Sequence, residues 1–131
     1  MKRMQIANVT TSPSTRAIAQ VVFPASVNSL AAILPMVASL THQTSERWVT
    51  WITHRQPIKA MLEAYGANLR RLRIVHVQPD SDSRWIAWQA LAQHNSHTVI
   101  AEQEKWSEDD IKALEKAALA TESKGVMIGL L

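Results

Sequence analysis

The chain has 131 residues, enough for one domain with a sizeable core, and its hydrophobic fraction of 47% is that of an ordinary globular protein. A formal net charge of +3 and a pI near 9.6 are mildly basic, short of the dense positive field of a dedicated nucleic-acid binder. The absence of cysteine excludes disulfides, zinc ribbons, iron–sulfur clusters and thiol nucleophiles.

No apolar run approaches the roughly 18 residues a membrane span needs. Lys2 and Arg3 lead into the polar stretch 8–15 where a secretory signal would carry its apolar segment. A cytoplasmic protein is therefore expected. Residues 1–15 read as a flexible polar arm, and residues 16–131 as a single domain.

The run Ala17 to Phe23 reads as a strand closed by Pro24. Leu30, Ile33, Leu34, Val37 and Leu40 follow at helical spacing, capped by Asn28 or Ser29. Pro35 inside that pattern either kinks the helix or marks its first turn. Arg47 to Thr53, rich in tryptophan and β-branched residues, reads as a strand buried on both faces. Pro57 suits the first position of a short helix carrying Ile58, Met61, Leu62 and Tyr65, with Gly66 as the left-handed residue that ends it.

Leu72 to Val77 is the next strand, stopped by Pro79. Caps among Asp80 to Ser83 open a helix with Trp85, Trp88 and Ala92 on one face and Leu91 beside them. His97 to Ala101 reads as a strand, and Ser107 with Asp110 has the outline of a capping box before Ile111, Leu114, Ala117 and Ala118. Gly125 can end that last helix, leaving Val126 to Leu131 as a final strand. Five strands alternating with four helices imply an α/β fold, a parallel sheet covered on both faces. Strand order is not contained in this pattern.

Such a sheet invites a nucleotide, yet the chain has three glycines and none between the first strand and its helix. Neither a P-loop nor a dinucleotide fingerprint is present, so no nucleotide cofactor is expected. There is no nucleophile elbow either. His54 and Asp80 follow the second and third strands and form a conceivable acid–base pair, against the plainer reading of polar loop residues. His94 and His97 have a metal-like spacing but straddle a helix end and a strand start, and no metal is expected.

Of the five tryptophans, Trp48, Trp51, Trp85 and Trp88 are expected in the core, and Trp106, in a charged loop, is expected to face a partner. Charge is segregated along the chain. Residues 47–73 carry Arg47, Arg55, Lys59, Arg70, Arg71 and Arg73 against Glu63 alone, whereas residues 102–124 hold four lysines against seven acids. A positive face for an acidic partner or a phosphate competes with a solvated basic edge.

Ile18 to Phe23, Leu30 to Val37 and Glu46 to Thr53, with Arg-Trp-x-x-Trp in the last, together resemble the SulA cell-division inhibitors of the bacterial SOS response. The likeness runs on through Tyr65 to Asn68, His97 to Ile100 and Trp106 to Asp110, covering residues 16–131. It implies a RecA-like α/β fold without a nucleotide site, and a non-enzymatic inhibitor of FtsZ, the tubulin-like division GTPase. Such an inhibitor caps the subunit surface whose T7 loop completes the neighbouring GTP site, stopping polymerisation and hydrolysis together. A homodimer is also implied.

The family's contact residues carry over as Arg47, Ile52 and Arg71. Its short-helix tryptophan falls near Met61 after a one-residue gap, which is a departure. A second departure is Glu102-Gln103 where the family often has an aromatic residue, and a third is the missing tail for Lon proteolysis. Ile52, in a buried strand, has packing as a competing role. Replacing Arg47 or Arg71 by alanine is expected to weaken inhibition and leave the fold intact. The other readings are a RecA-like accessory protein that binds DNA or recombination proteins through its arginines, and, behind it, a small enzyme using His54 and Asp80.

Overall fold

Each apolar run in this chain ends at a turn or cap that starts a helix, so successive strands enter the sheet in the same direction. The computed structural model describes residues 10–11, 17–24, 28–56 and 59–130. Its strands are β1 (Thr10–Thr11), β2 (Ile18–Phe23), β3 (Trp48–Thr53), β4 (Leu72–His76), β5 (Ser96–Glu102) and β6 (Lys124–Leu130). Its helices are α1 (Ser29–Leu40), α2 (Lys59–Ala64), α3 (Ser83–Ala92) and α4 (Glu108–Thr121).

The sheet order is β1-β2-β6-β5-β3-β4. β2, β6, β5, β3 and β4 are parallel, and only β1 pairs antiparallel, along the β2 edge. This is the expected α/β class. Of the arm expected over residues 1–15, Thr10–Thr11 forms β1; the remainder, like Pro57 and Ile58, lies outside the described residues.

The connections through α1 and α2 step one way across the sheet, and those through α3 and α4 step back. Right-handed crossovers then put the two helix pairs on opposite faces. Two separate cores result. Ile33, Leu34 and Val37 of α1 pack with Val49, Trp51 and Ile100 on one side. Ala87, Leu91, Leu114 and Ala118 pack with Ile52 and Val99 on the other. Alternation along β3 thus sends Trp51 and Ile52 into different cores.

Local signals decide the helix ends. Asn28 is the cap of α1, its side chain accepting from the Ala31 amide, and Pro35 sits within the helix. The ring removes a bond to the Ala31 carbonyl, at a residue exposed to water. Ser107 and Asp110 close the expected capping box at 3.0 and 2.9 Å. Gly66 takes φ 82° after α2, as expected of a left-handed terminator.

Gly125 has a different role from the one expected. Glu122, at φ 53°, ends α4, and Gly125 lies inside β6. A Cβ there would sit 2.6 Å from Ile18 Cδ1 and 2.9 Å from Met127 Cε, so glycine lets β2 and β6 pack against α4.

The tryptophan stripe of α3 also faces the other way. The helix buries Ser83, Ala87, Ala90 and Leu91, leaving Trp85 and Trp88 outside. Small residues on the inner side let α3 approach the sheet and α4 closely, which indole rings would prevent.

Candidate functional site

The basic residues contiguous in sequence are separated by the fold. β3 spans 6 residues, about 20 Å, so Arg47 and Arg55 stand at opposite ends of the strand. Arg47 donates to the carbonyls of Thr121 (2.9 Å) and Glu122 (2.7 Å) and to Ser123 Oγ (3.2 Å), tying the start of β3 to the end of α4. A cation here satisfies carbonyls that the helix leaves unpaired. Arg73 is held by Thr50 Oγ1, Asn95 Oδ1 and Ser96 Oγ at 3.1–3.3 Å. Arg70 and Arg71 lie in the 3-10 turn Leu69–Arg71, capped by Asn68, and Arg70 is exposed.

Arg47→Ala should therefore lower stability by about 1–2 kcal/mol, the loss of charged donors at a helix end. This revises the expectation that the variant leaves the fold untouched. Urea unfolding checks it, and an unchanged midpoint would show the three bonds to be inconsequential.

At the other end of the sheet, β3 and β5 are neighbours whose connections leave toward opposite faces. Open α/β sheets place ligands in the crevice at such a point. Here a crevice of about 490 Å³ is lined by His54, Gln78, Asp80, Ser83, Glu102 and Gln103. His54 and Asp80 share it, but no hydrogen bond joins them among the described residues.

Glu102 dominates its floor. The residue is 7% exposed, and its carboxylate accepts from Trp51 Nε1 (3.0 Å) and Arg55 Nε (2.6 Å). Arg55 continues to Ser29 Oγ at the start of α1. Both carboxylate oxygens are engaged, so Glu102 works as a brace joining β3, β5 and α1. In the sequence Glu102 stands out only as a residue where the family often has an aromatic. The available signal was a carboxylate directly following the apolar run Val99-Ile100-Ala101 at the end of a strand.

The four expected contact residues are placed differently. Ile52 is fully buried, at 0% exposure, and presents no surface to a partner. Met61, 37% exposed, shares the outer side of α2 with Tyr65, 47% exposed and one turn on. Arg71, half-buried, lines a shallow groove with His42, Ser45, Glu46 and Asn68. His42 Nε2 bonds the Gly66 carbonyl and Asn68 N donates to Thr41 Oγ1, fixing the turn that carries Arg71 against the end of α1. The fold thus gathers Met61, Tyr65 and Arg71 on α2 and the turn after it, while Arg47 is committed to α4.

Tryptophan placement also departs from expectation. Trp51 is fully buried as expected, whereas Trp48 is 38% exposed, at the start of β3 before the sheet closes over it. Trp106, expected to face a partner, donates Nε1–H to the Ile128 carbonyl (2.9 Å) and is half-buried over Gly129.

His94 and His97 do not converge. His94, at φ 63°, is the left-handed residue after α3 and is exposed, whereas His97 is buried with Nδ1 2.8 Å from Thr98 Oγ1. No cluster of three metal-ligating side chains occurs among the described residues. Burial, reinforced by the Arg47 charge, holds the His97 imidazole below its ordinary pKa.

The unfolded chain takes up this proton near pH 6.5, the folded chain only at lower pH. Stability is consequently full above about pH 6.5 and declines as the pH falls toward the folded value. Thermal midpoints between pH 7 and 5 should fall less steeply for His97→Gln than for the parent. Parallel slopes would contradict this.

These elements define a doubly wound parallel α/β protein whose crevice is braced by its own side chains. No protein-family model matches the sequence, and no curated protein matches it. Among solved structures, the fold is similar to that of SulA from Pseudomonas aeruginosa, with a TM-score of 0.74 at 22% identity. The match spans 89% of this chain and 100% of that one. The chain has the SulA fold. No helix among the described residues is long and apolar enough to cross a membrane.

Proposed function

We propose that this protein is a cytoplasmic division inhibitor of the SulA type, made in the SOS response, that binds FtsZ stoichiometrically and blocks its polymerisation and GTPase activity. The observation that carries the reading is the shared fold, which extends over 89% of the chain. The mode of action is binding, without catalysis by this chain, and the working unit is a homodimer.

The contact face consists of α2 and the turn after it. Met61 and Tyr65 supply exposed apolar surface, and Arg71 supplies the positive charge suited to the carboxylates of the partner's T7 surface. A specific complex needs about 1,000 Å² or more of total buried area, so neighbouring residues of α2 and the groove beside Arg71 take part. Arg47, bonded to the end of α4, and Ile52, buried in the core beneath α3 and α4, lie across the sheet from this face and act on inhibition through the stability of the fold. The internal bonds of Arg47, Arg55 and Arg73 favour this reading over DNA binding through a continuous arginine surface.

Reversing the charge at Arg71, or placing one at Met61, tests the face. Arg71→Glu and Met61→Glu should each weaken inhibition of FtsZ assembly by about ten-fold or more, as expected of interface hot spots. Their unfolding midpoints should stay near that of the parent, because both side chains reach solvent. Undiminished inhibition by both folded variants would remove the assigned face.

A further inference from the structure

The opposite side of the molecule carries a feature that the proposed inhibitory face does not use. Trp85 and Trp88, one turn apart on α3, stack with ring centroids 5.1 Å apart and planes 12° from parallel. They are 59% and 37% exposed. Indole rings dominate interface energetics when buried, and two left side by side in water mark a contact surface.

The pair lines a groove of about 500 Å³ between α3 and α4, with Ala113 and Leu114 on its other side and Asp82, Arg84 and Asp110 as its polar residues. Arg84 shows how a guanidinium sits there. Its Nε and Nη2 donate to the two oxygens of Asp82 at 2.8 Å each, and Nη1 reaches Asp110 Oδ2 at 3.4 Å. Among the residues that line the groove, two carboxylates, Asp82 and Asp110, stand against the one guanidinium.

Asp82 and Asp110 are both held below the ordinary aspartate range. The Arg84 hydrogen bonds lower the Asp82 carboxyl, and for Asp110 burial is outweighed by bonds from Ser107 and the Arg84 charge. Indole faces are themselves electronegative and attract cations. The groove therefore joins an apolar wall, a π surface and excess negative charge.

We propose that this groove docks a basic, aliphatic segment of a protein partner. A lysine or arginine lies on the indole stack toward the carboxylates, and an aliphatic side chain lies between the indole edges and the exposed Ala113. The site is on the face of α3 and α4, across the sheet from α2, so its occupant is separate from the target bound through Met61 and Arg71.

The indole N–H signals of the intact protein, observed by NMR, test the proposal with a short peptide of alternating lysine and leucine. Controls are its glutamate–leucine and lysine–serine counterparts. The expected result is selective movement of the Trp85 and Trp88 signals with the lysine–leucine peptide, while those of Trp51 and Trp106 stay fixed. Trp85→Ala with Trp88→Ala should weaken binding about ten-fold or more. Asp82→Asn with Asp110→Asn, which keeps both helix caps, should weaken it about three-fold, as should added salt. Equal response to the glutamate–leucine peptide, or unmoved Trp85 and Trp88 signals, would overturn the proposal. So would a shift of those signals with protein concentration alone, which assigns the groove to a second copy of the chain.

Discussion

Replacing Glu102 with alanine should destabilise the protein by about 3 kcal/mol, the low end of the range for breaking a buried pair. The variant strands two donors at once. Trp51 Nε1–H is wholly buried and loses its acceptor, while the Arg55 guanidinium, on a side chain 22% exposed, loses its counter-charge. For a domain whose total stability is about 5–15 kcal/mol, this is a large fraction. Glu102→Gln keeps an acceptor for the indole and should cost about half as much. In a double-mutant cycle with Arg55→Ala, the two sites should couple by about 1 kcal/mol or more. Urea unfolding followed by fluorescence measures all of these, and variants within about 0.5 kcal/mol of the parent would show that the brace is not a structural element.

Ile52→Ala should also unfold the protein partly, at a cost of about 2–5 kcal/mol for an isoleucine truncated in a closed core. Its side chain lies at 0% exposure in the cluster formed with Ala87, Leu91 and Val99. Any loss of FtsZ inhibition by this variant should then follow its folded fraction. Ile52→Val, costing about 0.5–1.5 kcal/mol, should inhibit like the parent per folded molecule. A well-folded Ile52→Val that loses inhibition would instead make Ile52 a contact residue, exposed by a rearrangement on binding.

Much of the fold was legible because its signals are local. Asn28, Asp82 and the Ser107–Asp110 box act within one helical turn, and the apolar strands are bounded by residues that stop them. Strand order was not legible, since it depends on the direction in which each crossover folds back. The arginine cluster misled for a related reason. Adjacency in sequence became separation in space once a strand intervened, and Arg47 and Arg73 found partners 22–76 positions away.

The α3 stripe failed through competition between two apolar faces on one helix. Periodicity favoured Trp85 and Trp88, but close packing favoured Ala87 and Ala90. Glu102 was hidden because its partners Trp51 and Arg55 meet it only through strand pairing. Nothing in the periodicity of α2 or the Arg71 turn marks them as a contact face; only the family resemblance points there.

Sequestration of FtsZ is read most directly from GTP turnover and light scattering of the purified GTPase titrated with this protein. Both signals should fall together and vanish near stoichiometric ratios, because capping a subunit removes polymer and catalytic site in one event. Unchanged turnover and scattering at several-fold excess, with folded protein and cognate FtsZ, would contradict the account and leave a shared fold with a different use.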